Sequence, residues 1–465
     1  TAGSSSSAAT SALRETLGLP ADVPAGAGVG VAVIDSGIAS SSDFNGRITG
    51  FYDFTQGAKA VAPSDAYGHG THVAGLIASA GRLASGASYQ GVAPQVRLVG
   101  MKVLDENGAG RTSDVIRAVE YATARRSALG IQIVNLSLGH PIYERASRDP
   151  LVRAVEAAAR AGLVVVAAAG NFGTSPDTGA VGYGGITSPG NAPSAITVGA
   201  VMTHGTAARS DDEVAPYSSR GPSWYDGFAK PDLVAPGHAL VSNAAAGSTL
   251  YDELPSARVE ANYLRLSGTS MATAVASGAV ALVLEAHRAR YPSAPPLTPN
   301  AVKALLEYSA LRMHDANGAE YDELTQGAGA LNATGAIALA SAIDTGAPAD
   351  AYWWTTSVAP STTIAGETWP WAQHIVWGTH IVWGTTVDTN ESAWALGVPW
   401  GDEVSWGSHI VWGTDVVWED TTTTWSGSIV WGPTFVGTST DGQHIVWGTA
   451  EAPSTTVWAD LTEVG

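Results

Sequence analysis

The chain contains no cysteine. That excludes a disulfide framework, a thiolate metal site and a cysteine nucleophile. Charge is also scarce: 14% of the 465 residues are Asp, Glu, Lys or Arg, against 45% hydrophobic. Such a composition supplies a large core and does not read as disordered. Positive charge is the scarcer sign, with 23 Lys and Arg against 42 Asp and Glu and a net charge of −19. No nucleic-acid or anionic-membrane partner is expected, because both require a basic patch. The deficit is uneven. The last basic residue is Arg312, and the stretch 351–465 carries −12 of the −19, leaving −7 for residues 1–350. No apolar run is read as long enough to span a bilayer, so no transmembrane segment is expected. No signal-peptide pattern opens at Thr1, which leaves the compartment open on this point.

Continuous apolar runs alternate with helical patterns from Gly28 onward. Strands are expected at Gly28–Ile34, Val96–Val103, Ile131–Leu136, Leu163–Ala168, Ala195–Val201 and Leu233–Ala235. Helices are expected at His69–Ala80, Thr112–Ser127, Pro150–Ala161, Ser270–Arg290 and Thr298–Ser309, with a short one at Ala12–Gly18. Unbroken apolar strands separated by helices predict an α/β fold, a parallel sheet sandwiched by helices. In such sheets chemistry gathers beyond the carboxyl ends of strands. Asp35, Asn135, Ser137 and Asn171 all stand at or just after predicted strands.

The pattern changes near Pro348. Fifteen of the sixteen Trp lie between Trp353 and Trp458, and His-Ile-Val-Trp-Gly-Thr starts at His374, His380, His409 and His444. Starts at 374, 409 and 444 are 35 residues apart. Thr, Val and Trp favour strands and Gly punctuates them, so a C-terminal β-rich repeat region is expected. The predicted division is residues 1–347 and residues 348–465. Two readings of the repeat stand: exposed Trp rows that contact a surface or polysaccharide, and Trp that form the core of a repeat β structure. The repeated His residues follow from copying and need no metal.

Three separated blocks carry chemistry. Leu266-Ser267-Gly268-Thr269-Ser270-Met271-Ala272-Thr273 feeds a small, apolar helix and sets Ser270 at its mouth, where backbone N–H groups and the positive dipole end face outward. A hydroxyl there is placed to attack a carbonyl, although Ser is also an ordinary helix cap. Gly68-His69-Gly70-Thr71-His72-Val73-Ala74-Gly75 supplies a candidate base, and Val33-Ile34-Asp35-Ser36-Gly37 supplies a carboxylate to orient it. Alone, each is more often structural. Together, in the order Asp35…His69…Ser270, the blocks resemble the subtilisin family (subtilases) of serine proteases over roughly residues 15–345.

The resemblance implies a subtilisin-like fold and a serine endopeptidase that hydrolyses proteins or peptides through an acyl-enzyme. It implies Ser270 as nucleophile, His69 as general base and Asp35 as the carboxylate behind it. Ala167-Ala168-Ala169-Gly170-Asn171-Phe172-Gly173 resembles the family's oxyanion block, with Asn171 as donor. Gly108, Ala109 and Gly110, with Ser137, Leu138 and Gly139, match the segments that bind substrate as an added strand. Ala168 and Gly170 would wall the pocket for the residue before the cut, over a floor at 186–190. Small, uncharged walls imply broad specificity with an apolar preference. His72 is expected to be structural. No cofactor is needed for the chemistry. A structural calcium stays open, with Asp43 matching one family ligand and no site assigned. Secretion and a monomeric state are further expectations from the family.

Overall fold

The computed structural model describes residues 12–20, 23–84, 88–174, 179–347 and 355–373, and the backbone of Thr456–Ala459. The expected β repeat, with its four His-Ile-Val-Trp-Gly-Thr copies, lies outside the described residues.

Within them, seven parallel strands form most of a nine-stranded sheet. The order across it is Ile48–Asp53, Arg97–Lys102, Gly30–Asp35, Ile133–Leu136, Val164–Ala168 and Ile196–Met202, with Leu233–Pro236 also paired to the last. The short antiparallel strands Lys59–Ala60 and Glu213–Val214 flank it. Successive residues serve opposite faces. Val31 and Val33 join a core built on the helices His69–Ala78, Thr269–Arg290 and Ala333–Ala342. Ala32 and Ile34 join a second core under Thr112–Leu129 and Pro150–Arg160. Burial on both faces is why these strands read as unbroken apolar runs.

Local chemistry sets the helix ends. Asp149 accepts from the backbone N–H of Leu151 (2.8 Å) and Val152 (3.4 Å) ahead of Pro150, which needs no donor there. Gly130, at φ 64°, closes Thr112–Leu129 in the left-handed conformation.

Thr269–Arg290 corrects one sequence expectation. By length and composition it is apolar enough to cross a membrane. Its place in the fold supplies another reason for that apolarity, since 89% of its most apolar window is buried. Other elements escaped the sequence pattern. Ile48–Asp53 carries Thr49, Gly50 and Tyr52 among its apolar residues, and its burial is partial. A separate antiparallel sheet, ordered Leu240–Asn243, Tyr263–Leu266 and Arg258–Val259, sits over the His69 helix.

Two features tie distant segments together. Asp232 is fully buried and receives Lys230 and Lys303, each 2.8 Å away. Beyond residue 347 a hairpin, Ser361–Ile364 with Glu367–Pro370, lays Ile364 and the following Trp371 into the same core as the His69 helix. Trp371 Nε1 donates to Thr362 Oγ1 at 2.7 Å, and Ala372 N donates to the Ala310 carbonyl at 2.8 Å.

Candidate active site

Asp35 is the last residue of its strand, and its carboxylate receives the Nδ1 of His69 at 2.8 and 2.9 Å. The His69 helix comes this close because residue 70 has no side chain. A Cβ on Gly70 would stand 2.2 Å from the Gly37 carbonyl oxygen and 3.0 Å from Asp35 Cβ. Gly70 N instead donates to Ser36 Oγ at 2.9 Å, and Ser36 N donates to Asp35 Oδ1 at 2.7 Å.

Asp65 completes this brace, and the sequence offered no signal for it beyond an Asp in a turn. Its Oδ1 accepts from Gly68 N (2.8 Å) and Ser36 Oγ (2.9 Å). Its Oδ2 accepts from Thr71 N (2.8 Å) and Thr71 Oγ1 (2.6 Å). One buried carboxylate therefore gathers donors from the first turn of the His69 helix, where negative charge is favoured. Tyr67 packs beside His69, and burial, then Asp35, pushes its phenol up to about 12, so it stays neutral.

Ser270 occupies the first turn of Thr269–Arg290, and its Oγ donates to the Ser137 carbonyl at 3.0 Å. Ser137 Oγ donates back to the Ser270 carbonyl at 2.9 Å. Behind them Ser277 Oγ donates to Asn135 Oδ1, and Asn135 Nδ2 to Ser137 Oγ, both at 2.9 Å. The helix is thereby registered on the Ile133–Leu136 strand, which lies next to the strand that carries Asp35. Asp35, His69 and Ser270 are each fully buried; Asp35, which holds His69, and Ser137, whose carbonyl accepts from Ser270, stand at the carboxyl ends of adjacent strands.

Asn171 follows the Val164–Ala168 strand. Its Oδ1 accepts from Thr269 N (3.0 Å) and Thr269 Oγ1 (3.2 Å), while Gly170 N donates to Thr269 Oγ1 at 3.2 Å. The acceptor side of the amide is thus fixed on the residue before Ser270. Its Nδ2 is buried and has no partner among the described residues. Gly170 is held at φ 108°, and a Cβ there would lie 2.8 Å from Thr187 Cγ2 and from Ser219 Oγ. Ala168 is fully buried next to it, and Thr187 N donates to the Ala169 carbonyl at 3.0 Å. The expected pocket wall and floor are therefore in contact.

The two expected substrate edges are short strands, Ala109–Arg111 and Leu138–Gly139. Gly108 lies in the turn ahead of the first, against the ring of Tyr67, and Ser137 precedes the second. Thr456–Ala459 lies between the two strands and pairs with both.

His72 lies outside this constellation. Its Nε2 donates to the carbonyls of Leu240 (3.1 Å) and Leu264 (3.2 Å), and burial, then His69, pushes it down to about 3. Asp43 is equally committed. Its oxygens accept from the backbone of Arg82 and Leu83, from Ser79 and from the side chains of Asn243 and Tyr263. Calcium needs free oxygen lone pairs, and this carboxylate directs its own at five protein donors, so it does not fit a calcium ligand. Among the described residues no group of three or more His, Asp or Glu side chains could hold a metal.

A family model described as the subtilase family matches residues 26–336. The serine protease AprX of Bacillus subtilis (strain 168) is 41% identical over 317 residues, covering 67% of this chain and 66% of that protein. Subtilisin E of the same organism is 37% identical over 269 residues, covering 56% of this chain and 57% of its own length. The chain thus spans somewhat under two-thirds of these relatives. Among solved structures, an S41 psychrophilic protease superposes with a TM-score of 0.55 at 28% identity, over 70% of this chain and 99% of its own. Sphericase gives a TM-score of 0.52 at 28% identity, over 69% and 96%.

Proposed function

Because the chain belongs to the subtilase family, we propose that it is a serine endopeptidase whose nucleophile is Ser270. The observation that carries this reading is the paired arrangement of Asp35 on His69 Nδ1 and of Asn171 on the residue before Ser270. A carboxylate on Nδ1 fixes the tautomer that leaves Nε2 as proton acceptor. His69 then takes the hydroxyl proton as Ser270 Oγ attacks the peptide carbonyl, and later returns it to the leaving amine. Asp35 stabilises the imidazolium between the two events. The new oxyanion is received by the Asn171 Nδ2 donor and the Ser270 backbone N–H, charge-developing contacts that strengthen in the transition state. Water resolves the acyl-enzyme by the same path.

Gly170, Ala168 and Thr187 offer the pocket no charge, which favours apolar side chains before the cut and broad specificity. The catalytic body extends through the hairpin to residue 373, since Ile364 and Trp371 belong to its core. The rest of the tail serves as an accessory segment, and the enzyme acts outside the cell as a monomer. The chemistry needs no cofactor.

A serine-directed phosphonate tests the assignment. Mass spectrometry should find the adduct on the peptide containing Ser270, and Ser270→Ala should lose both the adduct and casein hydrolysis. A Ser270→Ala chain that still cleaves casein at the parent rate refutes the reading.

A further inference from the structure

The cleft between Ala109–Arg111 and Leu138–Gly139 holds a third strand from the far end of the same chain. Thr456 pairs with Arg111, Val457 with Gly110 and Trp458 with Ala109. On the other side Trp458 pairs with Gly139 and Ala459 with Leu138. Both pairings are antiparallel, so Thr456–Ala459 is the central strand of a three-stranded sheet. Its sequence, Thr-Val-Trp-Ala, is rich in strand formers, and the flanking edges supply main-chain partners on both sides.

Polarity decides what such an occupant means. Going from Thr456 to Ala459, the strand runs from Arg111 toward Leu138. The residue before Leu138 is Ser137, whose carbonyl accepts the Ser270 hydroxyl. The segment therefore approaches Ser270 with its carboxyl end leading. That is the sense required of the half of a substrate that precedes the cut. A strand bound the other way would occupy the same edges without presenting its next carbonyl to the serine.

The geometry points to the tail as the cleft's own ligand: Thr456–Ala459 binds in the substrate sense and must be displaced by any foreign peptide. This rests on the reading of the cleft as the substrate site of an endopeptidase. The tether makes the occupant a competitor at fixed local concentration. Tethering makes binding intramolecular, at an effective concentration of roughly millimolar for short linkers that falls with length. A segment whose dissociation constant is at or below its effective concentration raises the apparent KM at least about twofold and leaves kcat unchanged.

Trp458→Pro in the full chain is the direct test, because Trp458 is paired on both sides and proline cannot serve in a central strand. Hydrolysis of a short chromogenic peptide is measured for the parent and the variant, with intact mass confirming that each retains its tail. The expected result is a KM lower by about twofold or more at constant kcat in the variant. A synthetic acetyl-Thr-Thr-Val-Trp-Ala amide should then restore the higher apparent KM competitively. Cleavage of the parent tail beyond Ala459 on incubation, absent in Ser270→Ala, further supports the substrate sense. Equal KM values in two active chains overturn the inference, as does a KM difference that disappears on enzyme dilution, which would assign the strand to a second copy. Failure of both chains to hydrolyse peptide or to label at Ser270 instead refutes the endopeptidase reading.

Discussion

Acid should weaken this fold through His72, and the structure sets the size and direction of the effect. In the folded chain Nε2 must carry the proton, because both of its partners are carbonyls. Nδ1 is buried with no hydrogen-bond partner among the described residues. A second proton would create a buried cation with one N–H facing no acceptor, and the group is accordingly held down to about 3 against an ordinary value of 6.5. Once released, the unfolded chain takes up that proton below pH 6.5, whereas the folded chain refuses it until about pH 3. The contribution is complete above 6.5 and is lost as pH falls toward 3. Its slope approaches 1.36 kcal/mol per pH unit, so lowering the pH from 7 to 5 costs about 2 kcal/mol, within an upper bound of about 5 kcal/mol for the whole window. Urea denaturation followed by circular dichroism, in a Ser270→Ala background to prevent self-digestion, measures it. His72→Gln retains a side-chain N–H donor but cannot titrate. Its stability should be lower at pH 7 and should fall by about 2 kcal/mol less on going to pH 5. Parallel declines for the two chains would refute the reasoning.

Other residues make separate demands. Asn171→Ala should lower kcat by about 10²–10³ with little change in KM, a magnitude known for an oxyanion asparagine in this family rather than worked from these distances; an unchanged kcat removes Asn171 from the reaction. Asp65→Ala leaves buried donors of Ser36, Gly68 and Thr71 unanswered. It should cost at least about 1–3 kcal/mol by chemical denaturation. Gly70→Ala should reduce kcat and stability together, because a Cβ would stand 2.2 Å from a backbone oxygen that cannot yield cheaply; wild-type kinetics and Tm would contradict that. Asp232→Ala leaves two buried ammonium groups with Glu307 as their remaining buried countercharge and should cost about 3–5 kcal/mol in urea titrations.

The parts of the molecule visible in the sequence share one cause. A strand buried on both faces must be apolar at every position, so Val31–Ile34 and Val164–Ala168 announce themselves, and the polar residue ending such a run stands out. That is how Asp35 and Asn135 could be placed. Ile48–Asp53 is only partly buried and mixes its signal with Thr49, Gly50 and Tyr52. Asp65 could not be found in this way, because its importance comes from donors on Ser36 and Thr71, brought to it by folding. Asp43 is legible only as a lone carboxylate with no site assigned; its five protein donors come from separate segments that folding brings together. The Thr269 helix stands where the sequence places one, at Ser270–Arg290, but its 18-residue apolar window is masked because Ser, Thr and Gly interrupt the aliphatic residues.

The central sheet also divides the chain's obligations. One face carries the helices of His69 and Ser270, and its side chains set where reacting atoms stand. The other face, under Thr112–Leu129 and Pro150–Arg160, packs a second core that includes Leu138 of one substrate edge and Ala167 before the pocket wall. Sequence drift is consequently constrained on both faces, by the reacting helices on one and by the substrate edge on the other. A search for more heat-resistant forms should begin beneath Thr112–Leu129 and Pro150–Arg160 at helix positions such as Ala118, Ala122 and Val155, with Leu138, Ala167 and Ile34 left unchanged because they carry the site.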